Sequence, residues 1–521
     1  MITWRAIECL QRADAILYDK LVNRRVLDWA RPGAVCLSVE HLPGEHPARW
    51  PLIVQTILDW AHEGKTVVRL KGGDPTIFGR GFEEAAALRD AGIEYEIVPG
   101  VTSACAASAY AEIPLTHRSV ASAMAIVTGH DDVTTAQQPL DWDALTRFPG
   151  TLVIYMGMKR LPEIVQILLE RGKPADTPAA VVQWASTPRQ VTLKTELHRL
   201  PMEVALRGIT SPAVALIGPA VSLRPPTSWF ENRPLLGQCI VVTRPQHQAE
   251  SMLRDLEELG AAVLLMPGVT IHDPPDWEKV DQAIDNLKAY DWLVFTSVNG
   301  VNHFFRRLRF RNKDLRCLGH VQLAAIGPAT AESLHRWHLR ADLVPSRFDS
   351  EALAATLVPR VRGQRLLLIR ADRGRDVLQL ELSQVATVHQ IAVYSQADVP
   401  HFDVDALTAL QRGDVTWLTL TSSNIARSIL SRLPFEAQQH LHSGRTRLAT
   451  ISRVTSEAVE QMGYQVSAEA KEATMTGLIR AIQAAVRSAQ LSKGRSREVD
   501  EDDARKKPDN VDGEERSTTE R

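Results

Sequence analysis

Two kinds of group in this chain carry the clearest chemical possibilities: backbone N–H groups bared at a glycine turn, and hydroxyls gathered where helices begin. The run "VVRLKGGDPTIFGRG" (67–81) closes an apolar, strand-like stretch on Gly72, Gly73 and Asp74. Glycine has no Cβ, so such a turn takes backbone conformations closed to other residues and admits a ligand close to its N–H groups. Turns after buried strands are where α/β folds place ligands. A strand, a tight turn and the next element explain the same letters without a ligand. In the second half, Thr296 and Ser297 of "FTSVNG", Thr330 of "AIGPATAESL", Thr421, Ser422 and Ser423 of "LTSSNI" and Thr455 of "TISRVTSEAV" fall at strand ends and helix starts. Helix N-termini attract anions, and Arg244, Arg370 and Arg373 add positive charge. Helix capping accounts for the hydroxyls equally well.

The elements that position these groups follow an α/β pattern. Short apolar runs ("TVVRL", "TLVIYMG", "AVALIG") alternate with helical stretches such as "GFEEAAALRDAG". At 521 residues the chain exceeds one core, and the length prior gives about three or four compact units. Prolines and polar residues in "RPPTSWFENRPLLGQ" (224–238) break the periodicity and mark a domain boundary. The second half repeats itself: "FTSVNG" begins at Phe295 and "LTSSNI" at Leu420, and Ile326 matches Ile451 at the same offset of 125. Thr330 thus matches Thr455, Leu353 matches Leu478, and Arg244 pairs with Arg370 after one inserted residue. Such a repeat predicts two similar α/β lobes with a cleft between them.

Composition narrows the function classes. The formal net charge of −2 gives no global attraction to nucleic acid, so an anionic ligand must meet a local cluster of Arg and Lys. No run of eighteen apolar residues exists to cross a bilayer, and the N-terminus lacks the pattern of a signal peptide, which makes cytoplasm the expectation. Five scattered cysteines without a Cys-x-x-Cys pair argue against a metal site and a disulfide framework. From about Leu491 the chain is charged and nearly devoid of large apolar residues, the composition of a disordered tail.

In order and spacing, "YDKLV" (18–22), "KGGDPTIFGRG" (71–81), "VPGVTSA" (98–104), "IPLTHR" (113–118), "TGH" (128–130), "YMG" (155–157) and "SPAVALIG" (211–218) resemble the tetrapyrrole methylases, specifically the uroporphyrinogen-III C-methyltransferases. The likeness runs from the first residues to about Trp229. It implies an enzyme that uses S-adenosyl-L-methionine to methylate uroporphyrinogen III twice, giving precorrin-2 on the way to sirohaem and cobalamin. Displacement at a sulfonium needs alignment and exclusion of water rather than a metal. The resemblance assigns Gly72, Gly73, Asp74, Ile77, Thr102, Ser103, Met156 and Ala185 to the cofactor pocket; core packing is the other reading of Met156. It assigns Asp19 the removal of the pyrrole proton, where capping of the next helix is the alternative. Arg80, His117 and Arg118 suit the substrate's carboxylates, with surface salt bridging as their plainer role.

Two departures accompany the likeness. The family's opening strand and Gly-Ala-Gly-Pro-Gly-Asp-Pro loop do not appear ahead of "MIT", which leaves a sheet edge open; weak or absent cofactor binding by this chain is the expectation. The family's general-acid lysine is also missing, and His41, beside Glu40, stands in its place as a group able to move a proton near neutral pH. Methylases of this type pair as homodimers, so a homodimer through this domain is expected.

The segments "VVTRP", "FTSVNG", "AIGPATAESL", "SEALAATL", "LLLIRADRGRDVL", "AVYSQ" and "LTSSN" resemble uroporphyrinogen-III synthase. That family closes hydroxymethylbilane with inversion of the last ring. The likeness assigns Tyr394 to assist departure of the hydroxyl and the hydroxyl-bearing turns to the substrate's carboxylates; a half-buried strand tyrosine is the other reading. The expected architecture is a two-lobed methylase over 1–228, a linker over 229–237, a bilobal α/β synthase over 238–488 and a disordered tail over 489–521. The expected partners are small tetrapyrroles, with neither nucleic acid nor membrane. Two other readings remain: a synthase carrying a degenerate methylase segment, and a tetrapyrrole-binding sensor that catalyses nothing.

Overall fold

The computed structural model describes residues 1–44, 49–129, 140–374 and 376–505. His130 of the "TGH" segment lies outside the described residues. The chain forms two compact units, Met1–Leu236 and Gly237–Arg521. None of the described helices is long and apolar enough to cross a membrane, and the described residues hold no cluster of metal-ligating side chains.

The first unit contains two sheets. β1 (Ala15–Tyr18), β2 (Val35–Ser38) and β3 (Val67–Leu70) form a parallel sheet in the order β2-β1-β3. The central strand "AILY" is buried along its whole length, as a continuous apolar run inside a parallel sheet requires. Among the described residues nothing pairs with the far edge of β3. Residues 93–98, "IEYEIV", alternate apolar and acidic side chains as a strand would, yet they join no sheet. A strand is defined by its ladder, and this segment has no neighbour to supply one.

The second sheet of this unit consists of β4 (Met124–Thr128), β5 (Thr151–Tyr155), β6 (Pro178–Gln183), β7 (Val191–Glu196) and β8 (Ala213–Ile217), ordered β4-β5-β8-β6-β7. Only β4 and β5 run parallel. The expected linker begins later than residue 229. Trp229 and Phe230 pack with Tyr110, and the Trp229 indole donates to the Ala109 carbonyl at 3.0 Å. Aromatic packing, with Phe230 buried, ties this stretch to the first unit and leaves the boundary at Leu236.

The second unit carries the repeat. One lobe holds β9 (Cys239–Val242), β10 (Ala262–Leu265), β16 (Trp417–Leu420), β17 (Arg447–Thr450) and β18 (Val466–Glu469), ordered β10-β9-β16-β17-β18 and all parallel. The other holds β11 (Val269–His272), β12 (Trp292–Phe295), β13 (Gln322–Ala325), β14 (Arg365–Ala371) and β15 (Thr387–Asp398), ordered β11-β15-β14-β12-β13, with β11 antiparallel to its neighbour. β12 and β16 match at the offset read from the sequence, as do β13 and β17. Each lobe buries its own apolar cluster, one around Phe295, Phe304 and Phe305, the other around Leu418, Ile429 and Leu448.

The chain passes between the lobes at 266–268 and again at 399–403. Gly268 sits at the first crossing: a Cβ there would meet the Ile429 side chain at 2.8 Å, so a larger residue would have to displace that buried side chain. Its carbonyl accepts from Val399 N–H at 3.2 Å and from Ser428 Oγ at 2.9 Å, which knots the two crossings together. A helix, Met475–Arg505, leaves the first lobe and runs into the segment read as a tail; residues 506–521 lie outside the described residues.

Candidate functional site

In the first unit the Gly72–Gly73 turn opens onto a cavity of about 1090 Å³. Gly72, Gly73, Ser103, Met156 and Ala185 line it, as expected, together with Val68, Leu70, Tyr95 and Ile97 from the open edge of β3 and the unpaired 93–98 segment. Met156 is half exposed on this wall, which overturns its reading as a core residue. Met156, Trp184 and Ser186 all hold positive φ values, of 53°, 49° and 64°. Left-handed backbone at three non-glycine residues of one cavity wall costs energy that the surrounding fold must hold in place.

Asp74 does not reach into the cavity; it staples the turn. Its carboxylate accepts from Thr76 N–H at 2.8 Å, Thr76 Oγ1 at 2.5 Å and Gly100 N–H at 3.0 Å. Burial works against its charge, but these hydrogen bonds outweigh that and hold the carboxyl below the usual range. Gly100 approaches so closely that a Cβ would lie 2.2 Å from the Gly73 carbonyl oxygen. Thr102 is likewise engaged: its hydroxyl meets Tyr155 at 2.6 Å, and the same Tyr155 oxygen accepts from Ala104 N–H at 2.5 Å. That bond satisfies one N–H at the start of helix Ser103–Ala111. Ile77 packs against the apolar cluster beneath.

Asp19 follows β1 and is half-buried, its carboxylate bound by the Arg69 guanidinium. It caps no helix; Asn23 caps the next one. Arg69 also donates to Glu84 at 3.3 Å, and Lys71 donates to both oxygens of Glu84 at 2.9 and 3.0 Å. Arg69, Lys71 and Glu84 lie on the cavity wall, whereas Asp19 does not line it; the network escaped the sequence reading, although Arg69 and Lys71, two apart in and after a strand, share a face. Arg80, His117 and Arg118 are exposed and outside the cavity lining. Arg80 stacks on Trp50 at 4.6 Å and bonds Glu83, and the His117 backbone pairs with Ala121. The structure therefore does not gather these three at the turn. His41 ends a short 3₁₀ turn, exposed, while its neighbour Glu40 pairs with Lys20 at 2.8 Å.

In the second unit Ser297 and Ser422 each cap a helix, accepting from Gly300 N–H at 2.9 Å and Ile425 N–H at 3.2 Å. Thr296 Oγ1 donates to the Ile369 carbonyl at 3.3 Å. Thr330 and Thr455 are buried, and their N–H groups bond back to Gly327 and Ser452. Both stand in the first turn of their helices with their side chains almost wholly covered. Ser422 and Ser423 line a cavity of about 330 Å³ with Asn424, Arg427 and Gly374, the last from the other lobe. Thr421, just before them, is half-buried. Arg370 is buried and bonds Asp376 at 3.0 Å and Gln390 at 3.3 Å, and Arg373 faces Asp398 at 3.6 Å.

Arg244 differs from these cations. No carboxylate lies within ion-pair distance of it among the described residues; its guanidinium donates to Gln248 Oε1 at 3.0 Å. Burial pushes its pKa below the usual range, the mark of a desolvated charge without a counterion. Tyr394 is only 4% exposed, more deeply set than a half-buried strand position. Its hydroxyl meets Ser297 Oγ at 3.0 Å, its ring stacks on His303, and burial raises its pKa. At neutral pH it keeps its proton.

Comparison with known proteins agrees with both halves. Residues 1–201 match the family model of Tetrapyrrole (Corrin/Porphyrin) Methylases, and residues 250–480 match that of Uroporphyrinogen-III synthase HemD. The chain is 32% identical over 435 residues to the porphyrin biosynthesis protein HemD of Ruminiclostridium josui, covering 83% of this chain and 86% of that protein. It is 37% identical over 351 residues to a uroporphyrinogen-III C-methyltransferase of Bacillus subtilis strain 168, covering 67% and 71%. A solved uroporphyrin-III C-methyltransferase of Thermus thermophilus is 35% identical and covers 42% of this chain and 87% of that one, with a TM-score of 0.35. The chain thus belongs to the tetrapyrrole-biosynthesis family in which a tetrapyrrole methylase is joined to a uroporphyrinogen-III synthase.

Proposed function

We propose that the chain catalyses two consecutive reactions: cyclisation of hydroxymethylbilane to uroporphyrinogen III, and methylation of that product with S-adenosyl-L-methionine to precorrin-2. The observation that carries the reading is the pairing of a glycine-turn cavity in one unit with a bilobal unit bearing a buried arginine that has no carboxylate partner among the described residues and a protonated tyrosine.

In the synthase unit, Arg244 takes a substrate carboxylate, which resupplies the counterion that burial has left out. The first chemical step breaks the C–O bond of the hydroxymethyl group while the nitrogen of the same ring loses its proton, so that water leaves and an azafulvene remains. Tyr394, neutral and hydrogen-bonded, donates to the departing oxygen. The two lobes then hold the open chain so that the last ring attacks through a spiro intermediate and closes inverted.

In the methylase unit, the cavity has room for a nucleoside joined to an amino acid, and its wall offers the N–H groups of Gly72 and Gly73 and the apolar side chain of Met156. S-adenosyl-L-methionine supplies an electrophilic methyl group when bound there. Asp19, oriented by Arg69, receives the pyrrole proton after transfer. A second reading, in which only the synthase is active, is favoured by the position of Asp19, which does not line this cavity.

The test is product analysis. The full chain is incubated with hydroxymethylbilane and S-adenosyl-L-methionine, and uroporphyrin isomers and methylated products are separated. Isomer III with methylated product supports both activities, isomer III alone supports the second reading, and isomer I alone refutes catalysis. Tyr394→Phe should slow isomer III formation by about tenfold or more; an unchanged rate removes the tyrosine from the mechanism.

A further inference from the structure

Helix Val298–Phe310 meets Tyr394 at two places. At its start the capping Ser297 lies 3.0 Å from the phenol oxygen; further along, His303 lays its imidazole on the ring, with centroids 5.6 Å apart and planes 27° from parallel. The His303 side chain is mostly covered, and its Nδ1 lies 3.8 Å from the carboxylate of Asp273, in the turn that follows β11. That turn is fastened to the strand of Tyr394, because Ser395 Oγ donates to the Asp273 carbonyl at 3.1 Å. The imidazole thus has the phenol ring as one neighbour and a carboxylate as another.

A phenol that donates to a departing hydroxyl gains negative charge on its own oxygen as it does so. A cation within about 6 Å of an aromatic ring is attracted to its face and stabilises charge growing on its oxygen. Protonated, His303 is such a cation; neutral, it is only an aromatic plate. Asp273 favours the protonated form, modestly, because its carboxylate is 74% exposed. Arg306 and Arg307, three and four residues along, oppose it, but Arg306 is exposed and Arg307 is bound by Asp281 at 2.6 and 2.7 Å. On the neighbouring strands and helices Asp285, Glu332, Arg370 and Asp398 are paired with other residues. His335 there is exposed, and His389 lies 3.0 Å from the Tyr290 hydroxyl.

We propose that His303 is a positioning residue for ring closure: as an imidazolium stacked on Tyr394, it makes the phenol a stronger donor to the departing hydroxyl. The inference rests on the synthase reading above and deepens it, by tying the reaction to the protonation of one histidine. Where His303 has lost its proton the plate remains and the charge is gone. The rate therefore falls as pH rises through the histidine range, ordinarily near 6.5.

The test follows kcat for isomer III formation by the full chain from hydroxymethylbilane, between about pH 5.5 and 8.5. His303→Phe keeps a ring on Tyr394 and removes the charge. It should lower kcat about tenfold at the acid end, match wild type at the alkaline end, and show no fall between them. Asp273→Asn, at an exposed position, should keep both plateaus and move the fall about 0.3 pH unit lower; it serves where His303→Phe folds poorly, and thermal unfolding is followed for both. Tyr394→Phe should abolish the fall as well, since no phenol is left to strengthen. If wild type makes isomer III without such a fall, or if His303→Phe is slowed equally at every pH, or if Asp273→Asn leaves the fall unmoved, the role of His303 is overturned and the synthase reading stands. If wild type makes only isomer I, the synthase reading falls and takes His303 with it.

Discussion

Gly100→Ala offers the sharpest test of how the first cavity is built. The added Cβ would sit 2.2 Å from the Gly73 carbonyl oxygen and 3.0 Å from its carbon. Ordinary non-bonded contact is roughly 3.5 Å, so the two turns must part by about 1 Å. That movement stretches the 3.0 Å bond from Gly100 N–H to the Asp74 carboxylate beyond useful range. Losing a hydrogen bond to a charged acceptor costs about 1.5–3 kcal/mol, and residual crowding adds about 1 kcal/mol or more. The expected local destabilisation is about 3 kcal/mol, a rise of roughly a hundredfold in opening. Hydrogen–deuterium exchange across 72–78 and 98–104 reads it directly, with the second unit of the same chain as internal reference. In an Asp74→Ala background the hydrogen bond is already gone, so the further effect of Gly100→Ala should shrink to the crowding alone. Unchanged exchange in both segments, or full additivity with Asp74→Ala, would refute the stapled-turn account.

The remaining predictions concern charge. The Asp74 carboxyl titrates lower in the folded chain than its unfolded value near 3.8, so its contribution to stability is complete above that value and is lost as pH falls through the folded pKa. Acid unfolding of the first unit should therefore be shallower in Asp74→Asn, and identical acid limbs would remove the carboxylate from the account. Arg69→Met leaves Asp19 without its partner and strips Glu84 of one of its two cations. Breaking a mostly buried charge network this way should cost about 3 kcal/mol, measured as the denaturation midpoint of the first unit, and methyl transfer should fall with it; a loss below about 0.5 kcal/mol would mean that Lys71 alone balances the site.

How far the sequence revealed this molecule depends on whether a signal is local. The repeat was legible because strand, capping serine and helix recur together at a constant spacing, and β12 and β16 fall where that spacing puts them. The glycine turn was legible for the same reason. Residues 93–98 look like a strand in isolation, and whether they form one depends on a neighbour elsewhere in the fold. The Arg69–Glu84–Lys71 network was hidden because the turn between strand and helix decides which glutamate swings inward. The burial of Thr330 and Thr455 was not legible, because hydroxyls near a helix start read alike whether they face out of the first turn or into it. His303 carries no signal of its own, being an ordinary helical residue until the fold lays it on Tyr394.

The double crossing at Gly268 and Val399 has a consequence for synthesis on the ribosome. The lobe running from β11 to β15 is one uninterrupted stretch, so it emerges whole and can condense at once. β9 and β10 are made before it, yet their sheet partner β16 is translated only after it. An apolar two-stranded ribbon must therefore wait, uncovered, while its sister lobe is completed. Any chaperone demand of this chain should fall in that interval, and a ribosome pausing before Trp417 would prolong it.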